Sequence, residues 1–92
     1  MPATLVFDEV LGPDACKAMR RFQRHAQRVS HADAALDLRR TQSVASNAWG
    51  TFVKAVRDLS RNGHKVTVIA GARLQGLLQV SDLMRFADIV IV

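Results

Sequence analysis

The residues best placed for chemistry in this sequence lie in the polar stretch 42–50, between a short apolar run and a long amphipathic one. The Ser46 hydroxyl can accept a hydrogen bond from a free backbone N–H in the first turn of a helix. Asn47 can take the same role, so the helix begins at one or the other. The small side chains of Ser43 and Ala45 leave this helix start open to an anion or a partner. The plainer alternative is an ordinary capped loop.

The spacings that enzymes and metal sites require are lacking. The glycines of residues 71–76 have P-loop spacing without the lysine that would reach the phosphates. Asp8 and Glu9 are neighbours at a predicted strand end, where they would point to opposite faces. The histidines are scattered and are expected at the surface: His25, His31 and His64. We therefore expect no enzyme, no catalytic residue, no metal and no cofactor.

Length and composition are typical of a single globular domain spanning residues 1–92. The hydrophobic content is 49%, and no apolar run approaches the roughly 20 residues of a membrane span. The first residues have neither the basic nor the apolar region of a secretion signal. The single cysteine, Cys16, permits no internal disulfide, which suits a reducing cytoplasm.

A basic face accounts for much of the net charge of +5. Apolar residues recur at helical spacing from Ala15 to Val29, and Phe22 belongs to this stripe. A solvated helix face is the simplest interpretation. The alternatives are a patch for an acidic partner, for anionic lipid head groups or for a nucleic-acid backbone, and the scarcity of aromatic residues disfavours nucleic acid. The basic face consists of Lys17, Arg20, Arg21, Arg24 and Arg28, with His25 among them.

The remaining pattern predicts an α/β domain with about four mostly parallel strands and alternating helices, in the order βαβαβαβ. Strands are expected at residues 3–7, 34–38, 66–70 and 89–92. Helices are expected from Pro13, over 47–60 and over 72–80, with a further helical turn at 83–86. The sheet would be covered on one face or on both, giving two or three layers.

Three local features refine these elements. Asp37, near the end of its strand, could cap the chain or pair with an arginine. Trp49 begins the apolar stripe of the second helix. Gly63, or Asn62 beside it, is placed to adopt the left-handed conformation that ends this helix.

The order of these elements and two of the stretches resemble a STAS domain, the family of bacterial anti-sigma factor antagonists and related transport subunits. The resemblance covers about residues 5–91. It depends on strand 34–38 followed by loop 43–50, on the helix through Leu59 and on Gly63-x-x-Val66-x-Val68. The ending Leu77-Leu78-x-x-Ser81-Asp82-Leu83-x-x-Phe86-x-x-Ile89 is similar to the leucine-rich ending of the family.

In the antagonists this loop reads Asp-Ser-Ser-Gly, and a partner kinase phosphorylates its first serine. Ser46 matches that serine, whereas Ala45, Asn47 and Ala48 replace the other three residues. The resemblance thus implies a non-enzymatic regulator that binds an anti-sigma factor or serine kinase and is phosphorylated at Ser46. A phosphate there would add about −2 charge at a helix N-terminus.

A second branch of the family is the STAS subunit of Mla-type phospholipid transporters, which binds the transporter ATPase and so associates peripherally with a membrane. Aligned with the family, the sequence begins after the first strand of the family, so the resemblance implies an N-terminal edge open to another chain, including a second copy in a homo-oligomer. For either branch the expected partner-binding residues are Ser43, Ala45, Ser46, Asn47, Trp49, Thr51 and Lys54.

Overall fold

The computed structural model describes residues 3–28 and 33–92. For positions 27 and 28 the description covers the backbone only. Three sequence predictions therefore lie outside the described residues: the end of the apolar stripe at Val29, the connector with His31, and the Arg28 side chain of the basic face.

Within these ranges the chain forms six strands and three α-helices. The strands are β1 (Ala3–Val6), β2 (Val10–Leu11), β3 (Ala34–Leu38), β4 (Ser43–Val44), β5 (Val66–Ala70) and β6 (Asp88–Ile91). The helices are α1 (Pro13–Arg28), α2 (Ser46–Arg61) and α3 (Gln75–Val80), with 3₁₀ turns at Ala72–Leu74 and Leu83–Arg85.

The main sheet has four parallel strands in the order β1-β3-β5-β6. Leu36 in β3 aligns with Leu5 on one side and with Val68 on the other. Each connection between neighbouring strands of this sheet contains a helix, as a parallel pair requires. The predicted α/β class and the mostly parallel four-stranded sheet are confirmed.

The core lies on one face of this sheet, so the domain has two layers. Leu36, Leu38 and Val68 are fully buried and belong to one cluster with side chains of all three helices. The connections step across the sheet in one direction, so that crossovers of the same hand place their helices on the same face. The alternate residues of the edge strands are partly open on the other face, where Val6 is 51% exposed.

The apolar stripe of α2 fills the centre of the core. Phe52 is 1% exposed and touches two other aromatic rings. Its ring lies edge-on to Phe7, with centroids 5.7 Å apart, and is stacked on Trp49 at 5.0 Å. Such pairs add about 0.5–1.5 kcal/mol to the gain from area burial, so the start of α2 is firmly held.

A second, two-stranded parallel sheet pairs β2 with β4. Val10 aligns with Ser43, and the Ala45 N–H donates to the Leu11 carbonyl over 3.0 Å. The Thr41 hydroxyl donates to the Asp8 carbonyl at 2.9 Å. The sequence pattern predicts a loop at positions 43 and 44. This prediction is wrong, because backbone hydrogen bonds with β2 hold these two residues in an extended strand.

The C-terminal half follows its predicted outline, with β6 one residue earlier than predicted and a difference in the helix before it. The helix predicted over 72–80 begins as a 3₁₀ turn, Ala72–Leu74, and becomes α-helical only at Gln75–Val80. The end of α2 is as expected, since Gly63 has a φ of 89°. This left-handed conformation suits glycine, which has no Cβ to clash.

Candidate functional site

The segment that follows β3, residues 43–50, presents several side chains to solvent at the start of α2; we call it the docking segment. Ser43, Ser46 and Asn47 are exposed, and Ala45 is half-buried. On the next turns of α2 Lys54 is exposed and Thr51 half-buried. These positions recur at intervals of three and four, so one face of α2 continues the polar surface of the docking segment.

The helix α2 begins one residue earlier than a Ser46 cap would require. Ala45 is the N-cap, with φ −77° and ψ 138°, and no side chain caps the helix. Ser46 is therefore the first helical residue, and its expected capping role is wrong. Asn47 supplies a local alternative, since its Oδ1 accepts a 2.9 Å hydrogen bond from the Ala48 N–H.

Trp49 supports the docking segment from beneath. Its side chain is 8% exposed and belongs to the core. The indole Nε1 donates a 2.6 Å hydrogen bond to the Ser81 hydroxyl, which donates in turn to the Leu77 carbonyl at 2.7 Å. Trp49 therefore positions this segment and contributes little to its exposed surface.

The exposed basic side chains of α1, Lys17, Arg20, Arg21 and Arg24, form what we call the basic row. None of them is in an ion pair within the described part of the chain, where the pairs are Asp37–Arg39 and Asp82–Arg85. At 100° per residue, the four positions fall within an arc of about 100°. Within the described ranges, no ion pair therefore compensates the charge of the basic row.

A groove of about 300 Å³ lies between α1 and α2; we call it the α1–α2 groove. Its α1 wall includes Lys17 and Arg20, and its α2 wall includes Asn47 and Thr51. The groove brings basic residues of α1 next to polar residues at the start of α2, two sets that the sequence pattern does not connect. Helix periodicity indicates which side of each helix is polar but not how the two helices pack, so the groove was not predicted.

One of the two ion pairs in the described ranges lies at the end of β3. Asp37 is buried, and its carboxylate accepts hydrogen bonds from the Arg39 side chain, the shortest being 2.7 Å from Nη2 to Oδ2. The side-chain hydrogen bonds from Arg39 lower the pKa of Asp37, burial opposes this, and the Arg39 backbone N–H lowers it further at 2.9 Å. The expected pairing of Asp37 with an arginine is confirmed.

The sequence predicts surface positions for the histidines, and the two described histidines differ in outcome. His64 is buried at 6% exposure, contrary to a surface position, because the chain turns inward after the end of α2. His25 is exposed as expected.

Asp8 and Glu9 are both exposed and line a groove with Arg40. Among the described residues no group of three potential metal ligands comes together.

Comparisons with known proteins return no relative. No family model matches the chain, and no curated protein or solved structure matches it significantly. None of the helices in the described ranges combines the length and apolarity that a bilayer crossing demands.

Proposed function

We propose that this protein is a non-enzymatic interaction module of STAS type, an anti-sigma factor antagonist-like regulator that binds its partner through the docking segment. The observation that carries the proposal is that exposed polar side chains in this segment lie next to buried aromatic side chains that hold the helix start in place. Ser43, Ser46 and Asn47 are exposed, whereas Trp49 and Phe52 directly beneath are buried in stacked contact. A rigid exposed surface loses little conformational freedom on binding.

The order of elements supports the STAS assignment. Strand β3 leads through the docking segment into α2, and two further crossovers end in β6. In the sheet order β1-β3-β5-β6 the N-terminal strand β1 lies at an edge, where the resemblance implies an open one.

Ser46 is the proposed point of regulation. It is exposed in the first turn of α2, a turn that contains no acidic side chain. A phosphate there would be favourable within this protein, because it meets the positive end of the helix macrodipole. It would also add about −2 charge where the partner docks and so weaken a complex fitted to the neutral serine.

Site-directed photocrosslinking in the native cell would test the proposal. A benzophenone amino acid at position 46 should yield one dominant adduct, identified by mass spectrometry as an anti-sigma factor or serine kinase. The same probe at Gln79, exposed on α3, should not yield that adduct. A transporter ATPase in the adduct would instead select the lipid-transport branch of the family. Absence of any adduct specific to position 46 would contradict the proposal.

The purified partner then allows a direct measurement. Ser46→Asp should weaken the complex at least about tenfold, or about 1.4 kcal/mol, because it places a charge in the interface. Gln79→Glu adds the same charge on α3 and should change affinity less than about twofold. If both variants bound the partner with the affinity of the unmodified protein, Ser46 would not be part of the interface.

A further inference from the structure

We infer that the α1–α2 groove receives an acidic protein segment, whose carboxylates meet Lys17 and Arg20 while its polar groups meet Asn47 and Thr51. This inference names the chemistry of the partner and rests on the proposed function, because Asn47 lines the groove and is the neighbour of Ser46 in the chain. It extends the binding surface from α2 to α1.

The charge of the groove is the first argument. Lys17 and Arg20 are exposed and unpaired among the described residues, and both line the groove. Arg21 and Arg24 continue the basic row along α1. Like charges spaced three or four apart destabilise a helix, so this concentration works against folding stability in the free protein. An acidic partner would remove that repulsion and supply complementary potential.

The second argument is the chemistry of the opposite wall. Asn47 is exposed, and its backbone carbonyl accepts a 3.2 Å hydrogen bond from the Thr51 hydroxyl. These uncharged polar groups can bond a peptide backbone or side-chain amides, which a peptide partner carries alongside its carboxylates. The groove therefore offers cations on one wall and neutral hydrogen-bonding groups on the other.

The structure disfavours the two other anionic partners. Interfacial binding to a membrane needs apolar side chains beside the basic ones, whereas Met19 and Ala26 of α1 are buried in the core. Single-stranded nucleic acid is bound by exposed aromatic rings, and none of the five aromatic side chains in this protein is exposed. An acidic segment of a protein is the class that remains.

The test uses matched charge reversals and a defined probe. The double variant Lys17→Glu with Arg20→Glu alters the groove. Lys65→Glu with Arg73→Glu alters one lysine and one arginine that are exposed outside it. Each reversal removes two units of charge, so both double variants lower the formal net charge from +5 to +1. The probe is a fluorescein-labelled glutamate-rich peptide, and affinity is measured by fluorescence anisotropy at low ionic strength.

We expect the groove variant to bind the peptide at least about tenfold more weakly and the control variant less than about threefold. Amide chemical-shift changes caused by the peptide should centre on residues 13–20 and 47–51. Equal weakening of both variants would show a diffuse effect of net charge and would overturn the inference. Tighter binding to phosphatidylglycerol vesicles or to single-stranded DNA than to the peptide would overturn it as well.

The inference and the proposed function can fail separately. With the crosslinked partner in hand, loss of binding by Ser46→Asp together with unchanged binding by the groove variant would refute the groove and keep the docking segment. The reverse result would keep the groove and refute Ser46. Circular dichroism of each variant would establish that the fold is retained, which the exposure of these side chains leads us to expect.

Discussion

The indole Nε1 of Trp49 donates a 2.6 Å hydrogen bond to the hydroxyl of Ser81, 32 residues further along the chain. One bond therefore links the start of α2 to the turn that follows α3. The Ser81 hydroxyl in turn donates a hydrogen bond to the Leu77 carbonyl. The leucine-rich ending and the docking segment are thus parts of one packed unit.

Ser81→Ala should destabilise the protein by about 1–3 kcal/mol, because it leaves the buried Trp49 N–H without an acceptor. Urea unfolding followed by fluorescence measures this loss, since Trp49 is the single tryptophan. Ser43→Ala, which removes an exposed hydroxyl, should stay within about 0.5 kcal/mol of the unmodified protein. Similar stabilities for the two variants would mean that the hydrogen bond contributes nothing.

Acid should weaken the fold partly through Asp37. Its pKa in the folded protein is lowered, chiefly by the Arg39 side chain, so its contribution is full above the pKa of the unfolded chain near 3.8. The contribution is lost as the pH falls through the lower folded value. Urea unfolding between pH 6 and about pH 2 should show a shallower acid loss for Arg39→Gln than for the unmodified protein. Identical pH profiles would contradict the assignment.

Arg21→Glu should stabilise the free protein by about 0.8–2 kcal/mol. It replaces the like-charge pairs with Lys17 and Arg24 by attractive ones at helix spacings of four and three, each worth about 0.2–0.5 kcal/mol. Thermal unfolding at low ionic strength measures the gain. Arg21→Gln should give about half of it, and high salt should reduce both. A loss of stability in Arg21→Glu would show that the basic row is not self-repulsive.

Two glycine substitutions should change stability in opposite directions. Gly63→Ala forces a Cβ onto a backbone with φ 89° and should destabilise the fold by about 1 kcal/mol or more. Gly76→Ala should stabilise it by about 0.5–1 kcal/mol, because Gly76 is in α3 and its added Cβ meets no atom within 4 Å. Urea unfolding of both variants compares them directly, and a shift of the same sign in both would contradict the backbone assignment.

Local patterns in the sequence predict the main elements well, because their causes are local. The stripe from Trp49 to Leu59 identifies α2, and the β-branched run Val66–Ala70 identifies β5. The short ladder of β2 and β4 has no such signal. Two residues per strand show no alternation, and each strand is extended by hydrogen bonds with a partner more than 30 residues away in the chain.

The site was predictable in part for the same reason. Exposure of Ser46 and burial of Trp49 follow from helix periodicity. The proximity of Arg20 to Thr51 depends on how α1 packs on α2, which a single sequence does not encode in its spacing. The burial of His64 likewise depends on the path of the chain after the helix ends.

The β2–β4 ladder has a kinetic consequence. Both it and the Trp49–Ser81 bond join distant positions, so they close only after large loops have been restricted. The positive charges of α1 are present before the chain has folded, whereas the α1–α2 groove beside them forms only at a late stage of folding. If the α1–α2 groove binds an acidic segment as we infer, a nascent chain that ends before Ser81 should bind it more weakly than the folded protein does.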